Sequence, residues 1–512
     1  MVVASAVLVA ILMRDGVGMP MKMPRQVRVL ATGPGVDHLS EELNHQVGGD
    51  QGVTAKSSHE LKRDTSKGRR VRASYSSHQK AKSSTLSSTL NAEKPDCLTH
   101  QVIAVGCLLQ PPPLFPRAKA IPMKAIRWTV WQVLAIVFGL TGLSAARAQD
   151  ASQKTPVIPA VNEAVRQHID AGQYAGAVTL FAQDGKIVHL GAVGQADLKS
   201  RRPMTTDTVF AIASMTKPIT ATGLMILVEE GKVNLDDPVS KYTPEFADVK
   251  FDGKPLEKPV TVRQCLTHTA GLSGSQRNVE SLENSAKVIA SRPLQYEPGT
   301  KWSYSPGITV AGRVLEVAAG QPYDEFLKER IFTPLKMTHT TFLPTSQQQA
   351  NRATLYALDK ESGKLEPAES WIGDFETDPS PNPSAGLFST AGDLFRFYQM
   401  VLNGGYLEDA KILKRESVQE MTRLQTGDLT TGFTPGNGWA LGWCVVREPQ
   451  GVSEALSPGS FGHGGAFGTQ GWVDPKQNRI FVLLTQRSNI PNSDASDLRR
   501  DFQNTAVASK RN

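Results

Sequence analysis

Ser214 and Lys217, joined by Tyr304 and the run His463-Gly464-Gly465-Ala466, are residue types that together can transfer an acyl group. Ser and Lys three apart lie about one helical turn from each other on one face, so the lysine amine can take the serine hydroxyl proton. The Tyr304 phenol offers a second proton relay. A glycine pair followed by a small residue suits an edge strand, where backbone N–H groups approach an acyl oxygen without side-chain obstruction. The serine–lysine spacing alone carries little, because Ser77 and Lys80 repeat it by chance in a polar stretch. The reading rests on the three strings together.

These residues need elements to hold them. The run from Thr216 to Glu230 is helix-friendly, apolar on one side through Ile219, Leu224, Met225, Leu227 and Val228, and stops at Gly231. Ser214 therefore opens a helix, with its own N–H aimed at the reacting carbonyl and the helix dipole favouring a developing oxyanion. Lys217 must be neutral to act as a base, and burial in a cleft would lower its pKa. Tyr304 follows the turn Pro298-Gly299 and precedes a helix carrying Val310, Val314, Leu315 and Ala318.

At the front of this region, residues 156–171 carry apolar residues at helical spacing. Next, the β-branched runs 175–182 and 187–193 flank Asp184-Gly185, which predicts a hairpin. Near the far end, 468–473 and 479–484 flank 474–478 and predict another. Hairpins at both ends with helices between predict an α+β fold: one antiparallel sheet built from both chain ends and flanked by helices, with a mostly helical second lobe and the chemistry in the cleft.

Further strings lie in a fixed order between these landmarks: Val260 to Leu272, with Thr267-His268-Thr269-Ala270-Gly271-Leu272, then Glu297-Pro298-Gly299-Thr300-Lys301-Trp302-Ser303-Tyr304-Ser305, and Gly386-Leu387-Phe388-Ser389-Thr390-Ala391-Gly392-Asp393-Leu394. With Ser214-Met215-Thr216-Lys217 and Gly462-His463-Gly464-Gly465, this order resembles the serine β-lactamase and penicillin-binding superfamily over roughly residues 155–490. Within it, the chain is similar to the class C-like branch that includes family VIII carboxylesterases. The resemblance implies a β-lactamase/transpeptidase-like fold, with Ser214, Lys217 and Tyr304 catalytic. It makes the N–H groups of Ser214 and Ala466 the oxyanion hole, and His463, Gly464 and Gly465 substrate-binding. Two positions depart from β-lactamases. Pro306 stands where they carry Asn and cannot offer an amide to a substrate, and His463 stands where they usually place Lys and holds a substrate carboxylate less firmly. His268 reads as structural.

The front of the chain is of another kind. Met123-Lys124-Ala125-Ile126-Arg127, an apolar run from Trp128 to Leu143 and the end Ala146-Arg147-Ala148 have the anatomy of a secretory signal peptide. Residues 123–148 are accordingly expected to direct export to the periplasm or medium, with 1–122 a disordered or mis-called upstream extension and 149–512 the hydrolase domain. The alternative is a cytoplasmic extension with a membrane anchor, against which the run is short and carries Gln132. Residues 1–148 hold 19 Lys+Arg against 9 Asp+Glu, whereas 149–512 hold 37 against 40. The basic balance belongs to the front and gives no case for a nucleic-acid partner.

From 149 onward only Cys265 and Cys444 remain, expected as buried thiols. There is no Cys/His metal spacing, no phosphate loop and no Gly-x-Ser-x-Gly, so neither a metal nor a cofactor is expected and an α/β-hydrolase elbow is excluded. The expectation is an exported serine hydrolase forming an acyl-enzyme at Ser214, a carboxylesterase on short acyl esters. The alternatives are a β-lactamase or D,D-peptidase on β-lactams or cell-wall peptides, and a non-catalytic scaffold of the same fold. The partner is a small-molecule ester or amide, with membrane contact only through the signal peptide. Oligomeric state is not legible, and acyl preference depends on the variable segments 273–292 and 345–378.

Overall fold

The computed structural model describes residues 155–274, 280–372 and 380–509, which fall in one compact unit. The expected export segment and upstream extension lie outside the described residues, as do parts of both variable segments.

Helix α1 (Pro159–Asp170) opens the fold and buries Val161 and Val165. Strands β1 (Gly176–Gln183) and β2 (Lys186–Asp197) follow. Asp184 and Gly185 both take positive φ, 53° and 76°, the backbone that a two-residue hairpin with native twist requires. A short β3 (Arg202–Pro203) adds to β2. The chain then leaves the sheet through a largely helical stretch: α2 (Thr216–Glu229), α3 (Val262–Thr267), α4 (Leu282–Ala290), α5 (Gly307–Ala319) and α6 (Ala391–Leu402). It returns as β4 (Asn437–Trp439), β5 (Cys444–Val446), β6 (Phe461–Gly464), β7 (Gln470–Asp474) and β8 (Arg479–Thr485), and ends in α7 (Asp497–Ala508).

The eight strands form one sheet in the order β4-β5-β6-β7-β8-β1-β2-β3, and every neighbouring pair is antiparallel. The two chain ends meet at its centre, where Ala177 of β1 pairs with Thr485 of β8 and Gln183 with Arg479. This is the α+β architecture expected from the two terminal hairpins.

Alternation along the central strands sorts their side chains to two cores. Phe181, Phe481, Leu483 and Trp472 pack with Val161 and Val165 of α1 and with Leu498 and Phe502 of α7. Val178, Leu180, Ile480, Val482 and Leu484 share the other core with α2, α5 and α6. Helix α2 differs from the expected one-sided pattern, since every residue from Thr216 to Leu227 is buried. It is the axis of the helical layer rather than a surface helix. Its threonines satisfy their hydroxyls on carbonyls: Thr220 Oγ1 donates to Pro383 O at 2.7 Å and Thr222 Oγ1 to Pro218 O at 2.9 Å.

Strand β6 corrects the edge-strand expectation. It is an interior strand, flanked by β5 and β7. Its pairing with β5 nevertheless ends at Cys444 opposite Gly462, while pairing with β7 continues through His463 and Gly464. One side of the His463-Gly464 backbone is thus locally an edge within an interior strand. Cys265 and Cys444 are free, buried thiols, as expected.

Candidate active site

The serine is presented by strain at the residue before it. Ala213 sits at φ 47°, a left-handed conformation that costs a non-glycine residue on the order of 1 kcal/mol. Ala213–Met215 form one tight turn that runs directly into α2. Thr216 holds that turn to its surroundings: its hydroxyl donates to Ala213 O at 2.7 Å and accepts from Leu387 N–H at 3.2 Å. Ser214 is left half-buried at the mouth of the turn. It lies in this lead-in turn, one residue pair before the α-helical hydrogen bonding starts.

Lys217 lies one turn further on, with no exposed surface. Its Nζ is 3.1 Å from Ser214 Oγ and donates to Ser384 O at 2.8 Å. Burial drives its pKa well below the ordinary lysine value, and the Asp494 charge offsets this only in part. The amine is thus biased to its neutral form, whose lone pair can receive the Ser214 proton.

Tyr304 approaches from the loop before α5. Its O–H donates to Ser214 Oγ at 2.9 Å, and its ring lies 4.8 Å from Lys217 Nζ. Burial raises the phenol pKa far above its usual value, against the lowering effect of the Ser214 hydrogen bond. The group therefore stays a protonated donor at neutral pH. The three expected catalytic side chains thus meet at a single oxygen. Pro306 caps the N-terminus of α5, two residues beyond Tyr304, and lends no side-chain amide to the cleft.

The end of β6 closes against the serine turn. A β-carbon on Gly465 would come within 2.5 Å of Ile212 O and 3.3 Å of Ala213 Cβ, so only glycine allows this approach. Gly465 N–H donates to Thr469 O at 2.7 Å, and Thr469 Oγ1 donates to Ile212 O at 3.1 Å. Ala466 is exposed and begins the turn that follows, whose Phe467 and Gly468 are buried, immediately past the Gly465 contact with Ile212-Ala213. Ser214 and Ala466, whose N–H groups are expected to face an oxyanion, are the residues that follow Ala213 and Gly465 on the two sides of this contact.

His463 is buried, and its Nδ1 lies 2.6 Å from Gly464 O. A carbonyl can only accept, so Nδ1 carries the proton and Nε2 presents a lone pair. That Nε2 has no hydrogen-bond partner among the described residues. Burial and the Lys217 charge lower the His463 pKa to about 3, which keeps the ring neutral at pH 7. His268 ends α3 in the left-handed conformation (φ 59°), and its Nδ1 accepts from Ser305 N–H at 3.1 Å. Its ring lies 4.5 Å from that of Tyr304. The structural role read for His268 is thus exerted inside the cleft, where it fixes the loop that delivers Tyr304.

Several contributors were not singled out by the strings, although Trp302 stands in one of them. Ser384, whose carbonyl anchors Lys217, stands just before the Gly386-Leu387-Phe388 run, and nothing in its residue type betrays a backbone acceptor. Trp302, Trp439 and Phe433 wall the site: Phe433 packs edge-on at 5.0 Å from Tyr304 and 6.2 Å from Trp302, and Trp439 lies 5.5 Å from His463. Phe433 remains 47% exposed at the mouth of the cleft. Asp494 approaches β6 from the turn before α7. Their only sequence signal was a concentration of aromatic residues near glycines, which turns and cores share.

Among the described residues no group of His, Cys, Asp and Glu could hold a metal ion, and no helix is long and apolar enough to cross a membrane.

A serine between a buried lysine and a tyrosine, beside a glycine-lined strand end, is the arrangement of a serine hydrolase, and comparison with known proteins agrees. The Beta-lactamase family model matches residues 161–506, and the chain belongs to that family. Esterase EstB of Burkholderia gladioli is 29% identical over 350 residues, covering 60% of this chain and 85% of EstB. An Escherichia coli O157:H7 protein that carries the provisional name of a D-alanyl-D-alanine carboxypeptidase is 30% identical over 366 residues, covering 64% of this chain and 82% of its own. Among solved structures, EstCE1, described as a hydrolase with promiscuous acyltransferase activity, superposes with a TM-score of 0.59 at 26% identity, covering 69% of this chain and 98% of EstCE1.

Proposed function

We propose that the protein is a carboxylesterase that cleaves short acyl esters through an acyl-enzyme at Ser214. Ser214 Oγ attacks the ester carbonyl as Lys217 Nζ takes its proton. The N–H groups of Ser214 and Ala466 hold the oxyanion, and Tyr304 passes a proton to the departing alcohol oxygen. The alcohol leaves, the acyl group stays on Ser214, and a water activated by the same pair releases the acid. The observation that carries this reading is the placement of Ser214 Oγ between a desolvated Lys217 and a protonated Tyr304.

Ester rather than β-lactam or peptide chemistry is favoured by Pro306 and by the neutral His463, neither of which can grip an acylamino group or a carboxylate. The likeness to EstB is in the same direction. A second reading, cell-wall D,D-peptidase or β-lactamase, is favoured by the relative carrying the carboxypeptidase name. Steady-state hydrolysis of p-nitrophenyl butyrate and of a chromogenic cephalosporin, each with wild type and Ser214→Ala, separates the two. The carboxylesterase reading expects Ser214-dependent turnover of the ester and at most slow turnover of the cephalosporin. Efficient cephalosporin hydrolysis, or stable labelling by a fluorescent penicillin, would replace it with the second. Export through residues 123–148 is part of the proposal, motivated by their signal-peptide anatomy, and N-terminal sequencing of protein recovered outside the cytoplasm tests it.

A further inference from the structure

Beside the strand end that carries His463 and Gly464 stands a carboxylate that the serine chemistry does not use. Asp494 lies in a single turn, Ser493–Ala495, between β8 and α7. A β-carbon on Gly464 would overlap Asp494 Oδ1, so the carboxylate sits directly against the backbone of Gly464, one residue from His463 and next to Gly465. The turn is firmly built. Asp494 N–H donates to Asn492 Oδ1 at 3.1 Å, Gln470 Nε2 donates to Ser493 O at 2.8 Å, and Arg499 Nη1 donates to Asp494 O at 2.6 Å. Arg499 thus grips the Asp494 carbonyl rather than its side chain, and its guanidinium lies over the Trp472 ring at 4.0 Å. Gln470 Nε2 is 3.5 Å from Asp494 Oδ1, at the limit of a hydrogen bond. Among the described residues no lysine or arginine forms an ion pair with this carboxylate; the residue is half-buried, and burial raises its pKa above the ordinary carboxylate value while the charges of Arg499 and Lys217 hold it down.

The same segment joins the mouth of the cleft, because Asn492 Nδ2 donates to Phe433 O at 2.7 Å and ties the turn to the loop bearing Phe433. The Asp494 charge also reaches inward, acting on both Lys217 and Tyr304. The neighbouring group is of matching polarity: His463 Nε2 presents a lone pair without a partner. This end of the site therefore offers two acceptors, a carboxylate and an imidazole nitrogen, with aromatic faces nearby, and the nearest guanidinium, that of Arg499, is held on the Asp494 carbonyl and over the Trp472 ring.

We infer that Asp494, seated against the strand end that also carries the His463 Nε2 lone pair, selects esters bearing neutral, hydrogen-bond-donating or cationic groups and turns away esters bearing a carboxylate. The inference rests on the serine-hydrolase reading of Ser214 and adds the charge class of its substrate. A carboxylate brought against Asp494 meets a like charge. An ammonium or hydroxyl gains both a partner and a counter-charge.

The test uses the full chain and two matched series of esters, each rate divided by that ester's spontaneous hydrolysis. In one series the acyl chain of a p-nitrophenyl ester ends in methyl, carboxylate or trimethylammonium. In the other, an aryl acetate carries methoxycarbonyl, carboxylate or trimethylammoniomethyl on the ring, so that either side of the scissile bond is probed. The expected result is a kcat/KM for the anionic ester roughly tenfold or more below its neutral match in at least one series, the scale of like charges several ångströms apart in a partly solvated site. In Asp494→Asn that anionic-to-neutral ratio should rise at least about fivefold, with the cationic preference shrinking in parallel. Asp494→Ser serves as the second variant should the first fail to fold. Wild-type ratios near one in both series, or ratios unmoved by either folded variant, would overturn the inference while leaving Ser214 chemistry intact. Absence of Ser214-dependent turnover of the neutral esters would instead remove the reading on which it rests.

Discussion

Two buried histidines, one in the β1–β2 hairpin and one at the end of β6, separate what a fold needs from what a site needs. His189 has no exposed surface, and both ring nitrogens are used: Nδ1 accepts from Ile158 N–H at 3.0 Å and Nε2 pairs with Thr179 Oγ1 at 2.9 Å. His463 is nearly as buried, yet only Nδ1 is used, on the Gly464 carbonyl next door. Burial lowers both pKa values, to about 4 and about 3, so neither ring is charged at neutral pH. The difference lies in the remaining nitrogen. A folded protein has no reason to leave a buried polar atom unpaired, since each costs about 1–3 kcal/mol. The cleft holds four such atoms close together: His463 Nε2, His268 Nε2, Trp302 Nε1 and Trp439 Nε1. These atoms lie where a substrate or water can pair them, whereas the hairpin histidine already has both its partners.

The sharpest way to break this contrast is at Lys217, which is both deeply buried and at the centre of the chemistry. Lys217→Met keeps the apolar volume and removes the base, and is expected to lower kcat on p-nitrophenyl butyrate about 10²- to 10⁴-fold. Stability should hold or rise, because a desolvated amine is removed. Lys217→Arg should not rescue the rate, since a guanidinium stays charged and cannot take the proton. A rate within threefold of wild type in both variants would place the base elsewhere.

At the other pole, His189→Leu leaves the Ile158 N–H and the Thr179 hydroxyl without their partner. The expected cost is about 1–3 kcal/mol in chemical unfolding, with kcat/KM within about twofold of wild type. A variant that unfolds normally but loses activity would mean that the hairpin histidine is not merely structural.

The last expected effect is in pH. His189 and His463 have folded pKa values below the unfolded value of about 6.5, so the unfolded state binds more protons as acid is added. Their contribution is therefore complete above about pH 6.5 and is lost as pH falls toward 4 and then 3. The unfolding free energy of wild type should decline through that window, and the decline should be shallower in His189→Leu. An equal slope in the two proteins would contradict the assignment of a buried neutral imidazole at 189.

Much of the frame was legible because its signals are local. Asp184-Gly185 between β-branched runs can be little other than a tight hairpin, and the structure places both residues at positive φ. The gathering of Ser214, Lys217 and Tyr304 was legible because a short helical spacing and a characteristic loop string survive in sequence order. What sequence could not yield is whatever depends on tertiary closeness. Helix α2 reads as one-sided, yet it is surrounded, because α5, the helices Tyr323–Leu327 and Arg415–Thr422 and the β6 strand pack on it, covering faces whose threonines look polar until their hydroxyls are seen bonded to carbonyls. The His463 strand reads as an edge and is interior, since β4 and β5 arrive from a segment with weak strand character and cover its flank only as far as Gly462. Asp494, 30 residues past the glycine pair, joins the site through the turn before α7, a path that no periodicity encodes.

The central claim, covalent chemistry at Ser214, is tested most directly by intact-protein mass after rapid acid quench with p-nitrophenyl butyrate, followed by peptide mapping. The account predicts a mass increase of one butyryl group, located on the peptide containing Ser214 and absent in Ser214→Ala. Ester turnover at an undiminished rate in Ser214→Ala, or an adduct mapped to another residue, would contradict it.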